Sequence, residues 1–346
     1  MEHILDRYTI TRSMPANYRP GDLDFCRKEF AYETYDVDLV SLRHCVVNKK
    51  GFVYERGRFE MNKISLLDER RYTHLFGKKH YVKKVLFKRK RKLPKGKYLL
   101  AFDEWTSEHY HWFCDFLPRL FVIRDRLPDF ILLLPDTAYV RNTGLQTLQF
   151  FGLEPAAIEF IVEDELVQAN NLSVATHVCL TGYINDRIMQ QMRELIVTKL
   201  DISEGLGRKL YISREKARYR RVLNEVAVQQ AVREMGYEVI SYEDLNWEEQ
   251  VRLTASADSI VSMHGAGLVN SLFMRPNGCV LEFRRDKIYH NQCYWHLAAS
   301  IGHRYFYLFG TPDRDDLVLE GGEGCNLTID TDKLQELLLV MESQTR

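Results

Sequence analysis

Ser259-Ile260-Val261-Ser262-Met263-His264-Gly265-Ala266-Gly267-Leu268-Val269-Asn270 decides how this chain is read. The first five residues make an apolar run of strand length, the glycines break it, and Leu268 onward has the character of a helix start. Such a strand–turn–helix offers backbone N–H groups and the positive end of a helix dipole to whatever lies above it. It is an anion-binding turn, and nucleotide diphosphates are the commonest large anions.

The neighbouring sequence repeats the alternation. Strand-like runs at 209–213, 237–241, 279–283 and 305–308 are separated by helical stretches at 223–235, 247–256 and 292–300. Gly236 stops the first helix, and Asn246 with Glu249 forms a capping pair for the second. Successive β-α units of this kind predict a doubly wound, Rossmann-like sheet. Upstream, strands at 98–102, 130–134, 158–162 and 172–178 alternate with helices at 108–126, 142–150 and 185–200, which predicts a second parallel α/β sheet. Residues 201–207, with two glycines, read as a linker. The expected domains are therefore 1–200 and 201–310. A tail, 311–346, carries a last helix from Thr331 that is expected to pack back on the first domain. Residues 1–76 read as short strands and hairpins.

A chain of 346 residues suits two domains, and zero formal net charge excludes a global affinity for polyanions. Seven cysteines without a C-x-x-C pair argue against a disulfide framework and against a zinc ribbon. No apolar run reaches the ~20 residues needed to span a bilayer. Residues 1–12 are charged throughout and lack a signal-peptide core. A cytoplasmic protein is expected, and the N-x-[ST] triplets at Asn171 and Asn326 then carry no weight. Residues 78–97 are dense in lysine and arginine and hold no acid. They read either as a solvated edge strand or helix face, or as a contact with an anionic membrane surface that would hold the protein at the inner face of the plasma membrane. Nucleic acid is not expected, since no aromatic-studded pattern accompanies the charge.

The richest chemistry in the first half lies on the helix 108–126. Trp112, Phe113, Phe116, Leu117, Leu120 and Phe121 recur with helical spacing, while Glu108, His111, Asp115 and Arg119 fall in one stripe. Pro118 should kink the helix by removing the bond to the Cys114 carbonyl. A solvated salt-bridge ladder is the plain reading of the stripe. Its flanking aromatics favour a partly desolvated carboxylate next to a histidine, which is a suitable general base. In the second half, ligands should bind beyond the carboxyl ends of the strands. Arg214, Lys216, Arg218, Arg220 and Arg221 follow the first strand and suit phosphate oxygens. Gly265 and Gly267 admit close backbone approach to a diphosphate, and His264 can donate to it. Glu282, in an apolar strand, is placed to accept hydrogen bonds from ribose hydroxyls. Each feature alone is common, and the three converge on one edge of one sheet.

Several chemistries lack their signatures. There is no G-x-x-x-x-G-K-[ST], no G-x-G-x-x-G opening a β-α unit, no G-x-S-x-G and no H-E-x-x-H. The Asp-x-Asp pairs (Asp22/Asp24, Asp36/Asp38, Asp313/Asp315, Asp330/Asp332) are scattered, so no metal site is expected.

The run Tyr110-His111-Trp112, Asp115, Leu117-Pro118-Arg119-Leu120 resembles the H-W-x-x-[DE]-x-L-P-R-L block of glycosyltransferase family 61. Tyr211-Ile212-Ser213-Arg214, Asn224-Glu225, Gln250, His264-Gly265-Ala266-Gly267-Leu268, Asn270 and Glu282-Phe283 are similar to the same family. The resemblance spans about Tyr98 to Leu308. It implies a GT-B architecture, two Rossmann-like domains with parallel sheets facing a cleft. It also implies an inverting transfer from a nucleotide sugar, usually a UDP-sugar, with no obligatory metal or cofactor. The acceptor would be a glycan, a lipid-linked glycan or another hydroxyl, with surface or capsular polysaccharide synthesis as the setting. Carried over by position, Arg214, His264 and the Gly265-Ala266-Gly267 turn would hold the diphosphate and Glu282 the nucleoside, with Lys216, Asn224 and Asn270 as further nucleotide-sugar-binding candidates. Asp115 would be the base. Many members have an asparagine and an aromatic where this chain has Glu108 and His109, so Glu108 and His111 stand beside Asp115 as candidates. Two other readings compete: a non-catalytic nucleotide-binding protein on the same fold, and a metal-dependent hydrolase using His109, His111 and Asp115.

Overall fold

The computed structural model describes residues 1–22, 24–55, 61, 62, 64, 85, 87–202, 207–285, 292–314 and 324–345. The chain divides into two compact units, Met1–Thr9 with Glu33–Ile188, and Ile10–Tyr32 with Met189–Arg346. The division falls inside the helix Asp186–Leu200 rather than after it. Residues 10–32, expected in the first domain, belong to the second unit.

The first unit is built on Tyr98–Leu100, Ile131–Pro135 and Ala157–Ile161, which lie parallel and side by side in chain order. Leu166–Ala175 pairs parallel with the other edge of Tyr98–Leu100, with Leu172 opposite Tyr98. This strand starts six residues before the expected 172–178 and ends three before it. Counted in chain order the four strands run 3-2-1-4. Such an order leaves a crevice where the first and fourth strands end, beyond Leu100 and Ala175. Val37–Asn48 extends the sheet antiparallel outside Leu166–Ala175, and Val53–Glu55 and Met61–Asn62 follow it. Leu132, Leu133 and Leu134 are completely buried, as a parallel strand covered on both faces requires.

The helical segment between the first two strands is not uniform. His109–His111 is α-helical, Trp112–Phe116 forms a wide π turn closed by the Leu117 N–H on the Trp112 carbonyl, and Leu117–Phe121 is α-helical again. Pro118 has no N–H for the Cys114 carbonyl, and the π turn accommodates that missing donor. The kink expected from Pro118 thus takes the form of an extra residue in one turn. Trp112 anchors the turn, with no exposed surface and its Nε1 donating to Thr147 Oγ1 at 2.7 Å.

The second unit carries five parallel strands in the spatial order Glu238–Ile240, Arg208–Ile212, Ala257–Met263, Cys279–Arg285, Arg304–Pro312, with Leu327–Thr328 antiparallel at the edge. In chain order this is 2-1-3-4-5, whose switch point lies between the ends of Arg208–Ile212 and Ala257–Met263. Arg214 and His264 follow those two strands. The capping box of Asn246 and Glu249 is formed. The tail corrects an expectation. Leu334, Leu338 and Met341 of the helix Thr331–Thr345 share a core with Val228, Val232, Val261 and Phe306, so this helix is part of the second unit's core.

Of the basic stretch, residues 78–84 and 86 lie outside the described residues. The remainder includes the strand Lys90–Lys92, which pairs with Leu166–Ala175. Arg91 contacts Glu159 at 2.5 Å and Glu165 at 2.6 Å, and Lys88 meets Asp164 at 3.3 Å. Arg91 is thus held in ion pairs within the first unit. Among the described residues no helix is long and apolar enough to cross a membrane.

Gly51, in the turn after Val37–Asn48, has φ +75°, and a Cβ there would stand 2.5 Å from the Phe102 carbonyl oxygen. Both the left-handed backbone and the contact with backbone demand glycine. Gly51→Ala is expected to cost about 1–3 kcal/mol, read as a lower urea midpoint at unchanged slope. An unaltered midpoint would contradict this packing.

Candidate functional site

Each unit gathers polar side chains at its own switch point. In the first unit, Asp115 is buried on the π turn and His111 stands one turn earlier with its side chain 22 % exposed. His111 Nδ1 is 2.6 Å from Asp115 Oδ2, and Thr181 Oγ1 donates to the same oxygen at 2.9 Å. With Nδ1 committed to the carboxylate, Nε2 is the ring nitrogen left for chemistry. Burial pulls the His111 pKa down, but the bond to Asp115 and the charges of Asp115, Asp103 and Glu108 raise it above the ordinary histidine range overall. Trp105 packs against the imidazole with ring centres 5.7 Å apart.

Beneath this pair lies a second group. Arg119, almost fully buried, donates through Nε to the Ala175 carbonyl at 3.0 Å, and its Nη1 lies 3.0 Å from His177 Nε2. His177 Nε2 is 3.3 Å from Asp103 Oδ2. Burial would raise the Asp103 pKa, yet His177, Arg119 and His111 together lower it to about 2. Burial and the Arg119 charge push the His177 pKa below its ordinary range. The stripe expected from Glu108 to Arg119 therefore splits. Glu108 is exposed at the helix N-cap with no side-chain capping bond, His111 and Asp115 pair, and Arg119 turns to the strand end.

Asp103, His177 and Thr181 were not singled out from the sequence. Asp103 and His177 are polar residues just beyond apolar strands, and Thr181 lies in the loop that follows the second of these. Extending the fourth strand to Val178 hid His177. His109, a residue of the metal reading, has its Nδ1 2.9 Å from Tyr139 OH, away from His111's partners. Among the described residues no group of three or more His, Cys, Asp or Glu is placed to hold a metal.

In the second unit, Gly265 opens a 3-10 helix, Ala266–Phe273, instead of the expected α-helix. Its first N–H groups have no intrahelical acceptors, as at any helix start. Arg214 is held over this turn by its own loop, Nε donating to the Arg220 carbonyl at 2.9 Å and Nη2 to the Tyr219 carbonyl at 3.1 Å. Burial, then the like charge of Arg220, lower the Arg214 pKa. Arg214 stands directly beside Gly265, where a helix start leaves N–H groups without intrahelical acceptors, an arrangement that suits an anion. His264 packs edge-on to Tyr294 at 5.0 Å, and its Nδ1 bonds Glu282 Oε1.

Four expected ligand residues have other work. Glu282 is completely buried, its second oxygen accepts the Tyr305 hydroxyl, and so it orients His264 instead of meeting a ribose. Asn224 bonds both backbone groups of Ile329, at 2.7 and 2.9 Å, and fixes a helix start. Asn270 is fully buried and donates to Gln250 Oε1 at 3.1 Å. Lys216 is exposed and paired with Asp244. Glu225 holds the end of the Arg214 strand by accepting from Tyr211 OH at 2.8 Å and from Ser213 Oγ. Of the expected residues, Arg214 and the Gly265–Gly267 turn stand together at the switch point, with the buried His264 next to them.

The sequence model of the Glycosyltransferase 61 family matches residues 109–281, half of the chain and the stretch that holds both clusters' helices and turns. The chain belongs to the glycosyltransferase 61 family. It is 28 % identical over 244 residues to the EGF domain-specific O-linked N-acetylglucosamine transferase of Drosophila melanogaster, covering 63 % of this chain and 46 % of that one. It is 31 % identical over 100 residues to the Protein O-linked-mannose beta-1,4-N-acetylglucosaminyltransferase 2 of Bos taurus, covering 27 % and 17 %. The Gallus gallus EGF domain-specific transferase is 29 % identical over 130 residues, covering 36 % and 24 %. The matched region thus spans less than half the length of these curated relatives.

The glycine turn makes an unequal prediction. A Cβ at Gly265 would lie 2.2 Å from Arg214 Nη1, whereas one at Gly267 first meets Tyr242 Cδ2 at 3.2 Å. Gly265→Ala should displace a guanidinium pinned by two carbonyls and weaken pyrophosphate binding about tenfold or more in calorimetry. Gly267→Ala should have a smaller effect. Equal losses would contradict the arrangement.

Proposed function

We propose that this chain is an inverting glycosyltransferase that moves N-acetylglucosamine from a UDP-linked donor to a hydroxyl of a glycan or glycoprotein. The observation that carries the reading is the His111–Asp115 pair at the carboxyl edge of the first unit, alongside a separate anion-binding turn in the second. The GT-B reading assigns acceptor chemistry to the first domain and the donor to the second, and each unit carries the group its half requires. The donor sugar follows the names of the relatives, all N-acetylglucosaminyltransferases. UDP follows from the family resemblance.

In the proposed step His111 Nε2 takes the acceptor hydroxyl proton while Asp115, fixed by Thr181, stabilises the imidazolium. The acceptor oxygen forms its bond to the anomeric carbon as the bond to the diphosphate oxygen breaks. Arg214, His264 and the N–H groups of the turn stabilise the leaving UDP. His111 thereby replaces Asp115 as the preferred base, since Asp115 is the more buried of the two and its Oδ2 is engaged twice. No metal is routed through this step. A capsular setting and a cytoplasmic site at the membrane face are compatible with the same chemistry, and neither is needed for it.

Purified protein offered UDP-, GDP-, TDP- and CMP-sugars with glycan and glycoprotein acceptors should release UDP from UDP-N-acetylglucosamine and form a β-linked product if the donor linkage is α. His111→Ala should lower kcat by about 10²–10⁴ with the donor KM little changed. Because a base must be deprotonated to act, transfer should rise with pH through the raised His111 pKa. Full transfer by His111→Ala would remove the assignment, and no response to any nucleotide sugar would favour a non-catalytic protein on the same fold.

A further inference from the structure

Trp105 has no part in the proposed transfer, yet it stands on a loop that holds it firmly. The Asp103 N–H donates to Thr106 Oγ1 at 2.9 Å, and Asp103 Oδ1 accepts the Trp105 N–H at 2.9 Å. The Trp105 carbonyl in turn accepts the Glu108 N–H at 2.8 Å. Asp103 and Thr106 are buried, so the turn is fixed from beneath. The aromatic residues that follow are sealed in the core, Trp112 and Phe113 with no exposed surface. Trp105 is instead left half-buried. Its indole lies against the His111 imidazole, with ring centres 5.7 Å apart and planes inclined by 32°.

A hydroxyl that gives its proton to His111 Nε2 must come within about 3 Å of that nitrogen. The group that carries the hydroxyl then lies beside the indole. A pyranose ring has a face of C–H groups and a rim of hydroxyls. An aromatic side chain next to a hydrogen-bond acceptor matches both. Such an acceptor is present on the same loop. Glu108 is exposed and caps no helix N–H, and its carboxylate makes no hydrogen bond or ion pair among the described residues. The other carboxylate of the loop, Glu104, is matched by Lys50 at 3.8 Å. The loop therefore offers a ring for the C–H face and a carboxylate for the hydroxyl rim, and that carboxylate disfavours an anionic sugar.

We propose that Trp105 and Glu108 form an acceptor subsite that selects a neutral sugar. The indole stacks on the C–H face of the pyranose, and the Glu108 carboxylate accepts from a hydroxyl beside the one that reacts. This inference rests on His111 acting as the base, and it names the acceptor of that reaction as a glycan rather than a polypeptide. A serine or threonine hydroxyl can reach Nε2 but has no face for the indole. A uronic acid brings its own carboxylate up to Glu108.

The full chain is given UDP-N-acetylglucosamine with methyl glycosides of neutral hexoses, with a methyl glucuronide, and with a threonine peptide. The best acceptor should be a neutral glycoside. A better rate with the glucuronide or the peptide would overturn the proposal, as would UDP release that no neutral glycoside accelerates. Trp105→Ala should raise the acceptor KM about tenfold or more with the donor KM unchanged, and Trp105→Phe should restore most of the loss. Glu108→Gln should narrow the preference for a neutral over an acidic glycoside several-fold. A merely structural Trp105 would lower kcat alike for every acceptor and leave the acceptor KM in place, which would sink the proposal. Should Trp105→Ala not fold, nitrogen-15 NMR of the wild-type chain with UDP decides. The Trp105 indole N–H, assigned from Trp105→Phe, should shift when a neutral glycoside is added, and a silent signal would contradict the subsite. No UDP release from any nucleotide sugar would instead remove the transferase reading, so the two failures are distinguishable.

Discussion

The hydrogen bond between His111 and Asp115 is the interaction on which the functional half of this structure depends. A carboxylate on a buried π turn cannot remain unpaired, and the imidazole that pairs with it is thereby given a fixed tautomer and a free Nε2. The π turn is what makes this possible, since it absorbs Pro118 and directs Arg119 to the strand end rather than along the helix. The second unit uses the same device, with His264 oriented by a buried Glu282 that is itself held by Tyr305. Two histidine–carboxylate pairs, each at a switch point of a parallel sheet, are the recurring physical solution.

Sheet order explains why the clusters lie where they do. In 3-2-1-4 and in 2-1-3-4-5 alike, the strands on either side of the switch point send their loops apart and leave a crevice. Asp103 and His177 close the strands that flank one crevice, Arg214 and His264 those that flank the other. The family match covers the helix of the first cluster and most of the second sheet, which is where such placement matters most.

Much of this was legible in the sequence. The alternation of apolar runs with helical stretches predicted two parallel α/β sheets, and the spacing of His111 and Asp115 predicted their meeting on one helix face. The capping box at Asn246 was readable from two residues. Other features were hidden for physical reasons. Glu282 and Asn224 carry polar groups at motif positions, and a sequence does not say whether a polar group faces ligand or satisfies a buried neighbour. Asp103 and His177 come together only through pairing of strands far apart in the chain. The placement of 10–32 and of the last helix in the second unit likewise follows from tertiary packing, not from local pattern.

The central claim is a division of labour, with the diphosphate on the second unit and the base on the first. Nitrogen-15 NMR of the full chain titrated with UDP tests it most directly. The account predicts shifts concentrated in the amides of Gly265, Ala266 and Gly267 and in the Arg214 and His264 side chains, with the His111 ring nitrogens unmoved. Shifts concentrated on His111 and Asp115, with the glycine turn silent, would contradict it.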